Sequence, residues 1–285
     1  AAVLDLFAAN RPMNVIPPSD AYPPNAALAP VLAESGFFRV QDDFQLPGHA
    51  GCVYGYRAVE GVTPYRVALY AQFFDRAPES VRQQLLGARF VVTWQQEYLN
   101  SPLAPQEVAS APSAPGAPNA SGITKTFELT ANAPRRAFLV HAVDVAPTTD
   151  SVFARLSDPN FDPFATVILS QSTEVSPGAG GDSVAVESDV PGHVRLRADS
   201  ESAAVLVLSE SYFPGWQATV DGRATAVLRA DGALMAVSLP AGSHAIEFVY
   251  RPVSLLWGGV VSALALIITL GLIIANPPSA FRNPQ

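Results

Sequence analysis

Val253 to Ala275, VSLLWGGVVSALALIITLGLIIA, is a run of 23 residues without one charged side chain. At ~1.5 Å of rise per residue, a helix of that length reaches about 34 Å, enough to cross a hydrocarbon core of ~30 Å. A buried core helix seldom stays uncharged on every face for so long, so the run reads as a transmembrane helix. Arg251 and Arg282 flank it, and Trp257 sits near the first boundary, where an amphipathic ring belongs. Asn276-Pro277-Pro278 ends it, because proline lacks the N–H and clashes with the preceding turn. Gly258 and Ser262, and Gly259 and Ala263, lie four apart. Such pairs let a second helix approach closely, or simply reflect how common small residues are in membrane helices. One Arg on each side leaves the orientation undecided by charge.

A membrane span accounts for part of an unusual composition. Charged residues make up 15% of the 285, against roughly 25% in soluble domains. Lys plus Arg total 17 and Asp plus Glu 25, a net charge of -8, so no basic stripe exists to replace phosphate counterions and nucleic acid is excluded as a general partner. A single cysteine excludes a disulfide framework and a multi-cysteine zinc site. The sequence opens on Ala1, and Ala1–Ala9 carries Asp5 without a basic stretch, unlike a signal peptide. A large extramembrane part, one helix and a short tail read as the end of a longer protein, with further material expected before Ala1.

The patterning predicts an α+β chain: a small mixed α/β domain, a mostly antiparallel β-sandwich and one C-terminal transmembrane helix. The α/β domain is assigned to residues 1–100. A helix is expected to start at Thr63-Pro64 and carry Leu69, Tyr70, Phe73 and Phe74 on one face; a second spans Pro78–Leu86 and stops at Gly87. Phe37–Val40 and Phe90–Trp94 read as strands, the latter buried, with Cys52 packed as a small hydrophobe. Residues 101–122, SPLAPQEVASAPSAPGAPNASG, with five prolines, read as a linker or exposed loop containing a glycosylation-like Asn119-Ala120-Ser121.

The sandwich is assigned to 123–251, with strands at Thr124–Leu129, Ala137–Val145, Thr166–Leu169, Val184–Glu187, Val194–Arg197, Ala204–Leu208, Ala233–Leu239 and His244–Tyr250, and a helix capped by Thr148. Asp221-Gly222 and Asp231-Gly232 mark hairpin turns. Residues 253–275 form the membrane helix and 276–285 a tail. The last strand runs straight into the helix, which sets the sandwich on the membrane surface.

No catalytic constellation stands out. Nucleophile-elbow, zinc-protease and phosphate-loop motifs are missing, and His49, His141, His193 and His244 lack metal-ligand spacing. No catalytic residue, metal or cofactor is therefore assigned. Asp42-Asp43 and Asp162 read as turn caps or solvated acids, although paired carboxylates whose pKa values are split by burial can do acid–base work. Tyr212-Phe213-Pro214-Gly215-Trp216 reads either as a sugar-stacking surface or as a structural corner with Trp216 in the core. Tyr212, Trp216 and Arg229 are the candidate glycan- or acceptor-recognition residues.

The block from Ser209 to Pro252, SESYFPGWQATVDGRATAVLRADGALMAVSLPAGSHAIEFVYRP, resembles the C-terminal extracytoplasmic region of YfhO-like bacterial membrane proteins. Their ordered features are all here: the aromatic-Pro-Gly-Trp corner at Tyr212–Trp216, Val220–Gly222, the hairpin Arg229–Gly232, Pro240–His244, and Tyr250–Pro252 before a final helix. Leu85–Thr93, with Gly87-Ala88 departing from the pattern, Ala133–Val140, with one extra Arg, and Leu156–Pro163 are similar to earlier segments of the family. The resemblance implies a multi-pass protein of GT-C type that transfers sugar from a polyprenyl-phosphate donor to a cell-surface glycopolymer. It implies that an acidic residue serving the acceptor as base lies in an early extracytoplasmic loop, outside this sequence. Expected partners are the lipid bilayer and the upstream transmembrane bundle of the same protein. Residues 1–251 are expected to be extracytoplasmic and the tail cytoplasmic, with the alternative of a non-enzymatic, membrane-anchored module that binds glycan or protein.

Overall fold

The computed structural model describes residues 24–43, 45–46, 50–60, 67–95, 97–113, 122–178 and 180–275. The expected helix start at Thr63-Pro64, His49, the Asn119-Ala120-Ser121 site and the tail fall outside the described residues. The chain divides into two compact units, residues 1–66 with 74–136, and residues 67–73 with 137–285.

In the first unit, α1 (Ala29–Ala33) precedes β1 (Arg39–Asp42) and α2 (Ala50–Tyr54). Helix α3 (Ala68–Arg76) carries the expected Leu69/Tyr70/Phe73/Phe74 pattern and is divided between the units. Helix α4 (Glu79–Leu86) then leads into β2 (Ala88–Thr93), which runs parallel to β1, as an intervening helical crossover requires. Gly87 adopts φ +67, the left-handed conformation that stops α4, and its amide caps the carbonyls of Gln83 and Gln84. Two antiparallel strands, β3 (Pro105–Pro112) and β4 (Ile123–Leu129), complete the sheet in the order β1-β2-β4-β3. One core gathers Leu28, Val31, Phe38, Val40, Phe90 and Val92, with the Phe38 and Phe90 rings edge to face at 5.5 Å.

Four features of this unit differ from the sequence expectation. Residues 105–112, read as linker, form edge strand β3: Pro105 and Pro112 stand at its ends, where a missing N–H breaks no essential ladder bond. Strand β4, expected in the sandwich, pairs here with β2 and β3. Trp94 ends the buried run 44% exposed. Cys52 lies exposed on the short helix α2 instead of packing inside.

The second unit is a two-layer sandwich. One sheet has six strands in the order β5-β10-β14-β13-β7-β6: β5 (Ala137–Val140), β6 (Ala142–Val145), β7 (Thr166–Leu169), β10 (Ala204–Ser211), β13 (Leu228–Ala230) and β14 (Leu234–Leu239). The other has five in the order β12-β11-β15-β9-β8: β8 (Ser183–Val190), β9 (His193–Ser200), β11 (Trp216–Val220), β12 (Arg223–Thr225) and β15 (Gly242–Tyr250). Leu206, Leu208, Met235 and Val237 of the first sheet meet Val194, Leu196, Ile246 and Phe248 of the second in one buried cluster. Arg195, Arg197 and Asp199 alternate outward on β9, the wet face that the sequence pattern anticipates. Helix α5 (Thr149–Leu156) starts at a Thr148–Ser151 capping box and buries Val152, Phe153 and Leu156. It connects β6 to β7, which pair in parallel. The final helix, α6 (Val253–Ala275), follows β15 after Arg251-Pro252, and it is exposed along its length.

His141 breaks the strand that the sequence reads as continuous from Ala137 to Val145. Its ring reaches the Ser176 carbonyl at 3.0 Å through Nδ1 and Asp182 Oδ2 at 2.7 Å through Nε2, while the Ser200 hydroxyl donates to Asp182 at 2.8 Å. Burial opposes charge on the imidazole, but the Asp182 hydrogen bond and charge outweigh it and raise the His141 pKa. Burial likewise opposes the carboxylate, and the His141 and Ser200 hydrogen bonds still hold Asp182 below its usual value. The His141 contribution is fully present below 6.5, its reference value, and fades as pH rises through the raised folded pKa. The Asp182 contribution is present above 3.8 and fades as pH falls through the lowered folded pKa. The pair therefore stabilises most between these two reference values. In a partly exposed pair it is worth under about 1 kcal/mol. Thermal melts of wild type and His141→Gln should differ most at about pH 5.5 and converge in strong acid and at alkaline pH.

Candidate functional site

The strongest concentration of unusual side chains lies at one end of the five-stranded sheet. Antiparallel pairing fixes which residues meet there. Trp216, the first residue of β11, faces Tyr250, the last of β15, and His193, the first of β9, faces Val249. Val190 closes β8 opposite His193. The membrane helix leaves the sandwich from this same end, because β15 passes directly into it.

The corner Tyr212–Trp216 is built by backbone geometry. Tyr212 donates its amide to the Ala233 carbonyl at 2.7 Å, and Gly215 accepts from the Arg251 amide at 2.8 Å. Gly215 has φ +109, and a Cβ there would lie 3.0 Å from the Pro252 Cα. Glycine is needed on both counts, conformation and space. Gly215→Ala should cost about 1–3 kcal/mol, read as a lowered denaturation midpoint with an unchanged slope. The Trp216 and Tyr250 rings sit 5.4 Å apart, and Phe213 lies 6.2 Å from Tyr250.

The three sequence-selected residues do not share one surface element. Tyr212 and Trp216 are half-buried and pack against the sandwich core. Arg229 is carried by β13 of the six-stranded sheet, opposite Met235. The most exposed aromatic of the corner is Phe213, at 41%, which sequence reasoning did not single out. Its place between Tyr212 and Pro214, on a turn where an inward-facing ring has no strand to carry it, was the available signal.

Several other titratable groups among the described residues are engaged in hydrogen bonds. Asp42 accepts from the Gln45 amide at 2.8 Å, and burial pushes its carboxyl up to about 7. Asp162 caps its turn by accepting from the Phe164 amide at 2.9 Å. His193 and His244 bond Glu247 at 2.5 Å and Asp221 at 2.7 Å. The His193 and Arg195 hydrogen bonds pull the Glu247 pKa down, and those of His244 and the Ala245 amide lower Asp221. Among the described residues, no three His, Cys, Asp or Glu side chains come together as a metal site.

A β-rich extramembrane unit whose last strand continues into a fully apolar, exposed helix is the design of a membrane-anchored protein. Residues 182–262 match the family model described as bacterial membrane protein YfhO, so this part of the chain is similar to that family. The match contains every strand of the five-stranded sheet and runs on into α6. It covers the Ser209–Pro252 block, while the resembling segments before Gly181 lie outside it. No curated protein and no solved structure matches the chain.

Proposed function

We propose that this chain is the extracytoplasmic, accessory part of a YfhO-like membrane glycosyltransferase. The sugar-transfer chemistry, from a polyprenyl-phosphate donor to a cell-surface polymer, belongs in this reading to membrane helices outside these residues. The observation that supports it is the family match passing without interruption from the five-stranded sheet into α6. The absence of a nucleophile motif in the sequence fits an accessory role. The sandwich would hold its place over the membrane segments and shape the approach of the acceptor.

The test is sugar transfer from a polyprenyl-phosphate donor by membranes carrying the product of the full gene. Transfer that falls when residues 137–251 are deleted is the expected result. Transfer by residues 1–285 alone would overturn the accessory role, and none by the full product would overturn the transferase assignment. The competing reading is a glycan-binding module using Tyr212, Trp216 and Arg229. It predicts glycan binding by the sandwich that Trp216→Ala abolishes without unfolding.

A further inference from the structure

We infer that the strand ends around Phe213 form a lipid-facing seat, by which the sandwich rests in the interfacial layer of the membrane that α6 enters. The sheet register brings Val190, Trp216 and Tyr250 to the same end of the five-stranded sheet, and the Phe213 ring lies there too, 6.2 Å from that of Tyr250. Phe213 is 41% exposed and Val190 50%, yet each lies within a few residues of the helix entrance in space. The Tyr250 amide donates to the Gly192 carbonyl beside Val190, and the Arg251 amide donates to the Gly215 carbonyl beside Trp216. Both loops are thus tied by backbone bonds to the residues immediately before α6.

A hydrocarbon-spanning helix that begins at Val253 places Arg251 and Pro252 at its boundary. Gly215, bonded to Arg251, and Gly192, bonded to Tyr250 one residue earlier, are then held close to that depth. The chemistry fits that depth. Trp and Tyr present amphipathic rings of the kind enriched at membrane–water boundaries, and Trp257 adds another within the first turns of α6. Phe213 and Val190 offer apolar surface, and the exposed Arg251 can meet lipid phosphate. The charged residues of β9, Arg195, Arg197 and Asp199, point from the sheet face along the strand instead of from its end. The occupant is therefore the bilayer itself, reached by continuity with the membrane helix.

The test uses the full chain in vesicles of phosphatidylcholine and phosphatidylglycerol. With Trp94→Phe and Trp257→Phe, Trp216 is the sole emitter. Lipids brominated near the headgroup should quench its emission by roughly half, and lipids brominated near the chain ends should quench it less, as for interfacial tryptophans. A reporter at the far end of the same sheet, Arg223→Trp in a chain whose other tryptophans are Phe, should be quenched by neither. A spin label at Phe213→Cys, with Cys52→Ser, gives an independent reading that leaves the tryptophans intact. Its relaxation should respond more to oxygen than to a water-soluble nickel complex. Equal quenching of the two tryptophan reporters would overturn the seat. So would a label governed by the nickel complex, which means water, or shielded from both reagents, which means protein.

Discussion

Replacing Asp231 with Asn should stabilise the sandwich unit by about 2–4 kcal/mol at pH 8 and leave it nearly unchanged at about pH 4. Asp231 is fully buried at the β13–β14 hairpin. Its Oδ1 accepts from the Ile168 amide at 2.8 Å, its own amide donates to the Ile168 carbonyl at 2.9 Å, and its Oδ2 is buried without a hydrogen-bond partner. Burial disfavours the carboxylate and pushes the pKa from 3.8 up to about 7. The folded chain therefore holds this proton more tightly than the unfolded chain, and folding stability falls as pH rises from 3.8 through about 7. Asn keeps the Ile168 acceptor, tolerates the φ of +50 found at this position, and has no charge to form. Denaturant unfolding of both proteins across this range should give curves that separate with rising pH; parallel curves would refute a neutral buried Asp231. Asp231→Ala tests the other half, since it strands the Ile168 amide at a cost of about 1–3 kcal/mol.

Phe248→Ala should destabilise the same unit by about 3–5 kcal/mol, whereas Glu247→Ala, one residue earlier, should cost under about 1 kcal/mol. The two side chains leave β15 on opposite faces. Phe248 is wholly buried among Leu196, Leu206 and Met235, in the cluster that joins the two sheets. Glu247 bonds His193 and Arg195 on the wet face. The denaturation midpoint is the readout, and similar losses at both positions would contradict the two-layer packing.

How much of this was legible in the sequence depends on which physical signal each element carries. The apolar helix and the Thr148 cap each have a local signature and stand where the sequence reading puts them, while the sandwich sheets begin at Ala137 and not at residue 123. The Asp221-Gly222 and Asp231-Gly232 turns, where Asp and Gly both take positive φ, also stand where the sequence reading puts them. Strand β3 was missed because proline and alanine content signals disorder, while the ladder depends only on where the prolines fall. Assignment of β4 failed for a different reason: its alternation marks a strand but not which sheet receives it. The break at His141 is set by hydrogen bonds to Ser176 and Asp182, tens of residues away in sequence. At the candidate site, the Pro-Gly corner was readable, as was the alternative of a packed Trp216. The grouping of Phe213, Trp216, Tyr250 and Val190 was not, because it arises from strand register.

The proposed function places the sandwich and its companion unit on the outer side of the membrane that α6 enters. Cys52, the one cysteine of the sequence, is exposed and reports on this directly. Wall-stripped cells producing the protein from its own gene should be treated with a membrane-impermeant maleimide, with Cys52→Ser as the control. Labelling at Cys52 before lysis is the predicted result. Labelling that appears only after lysis would place residues 1–251 on the cytoplasmic side and contradict the account.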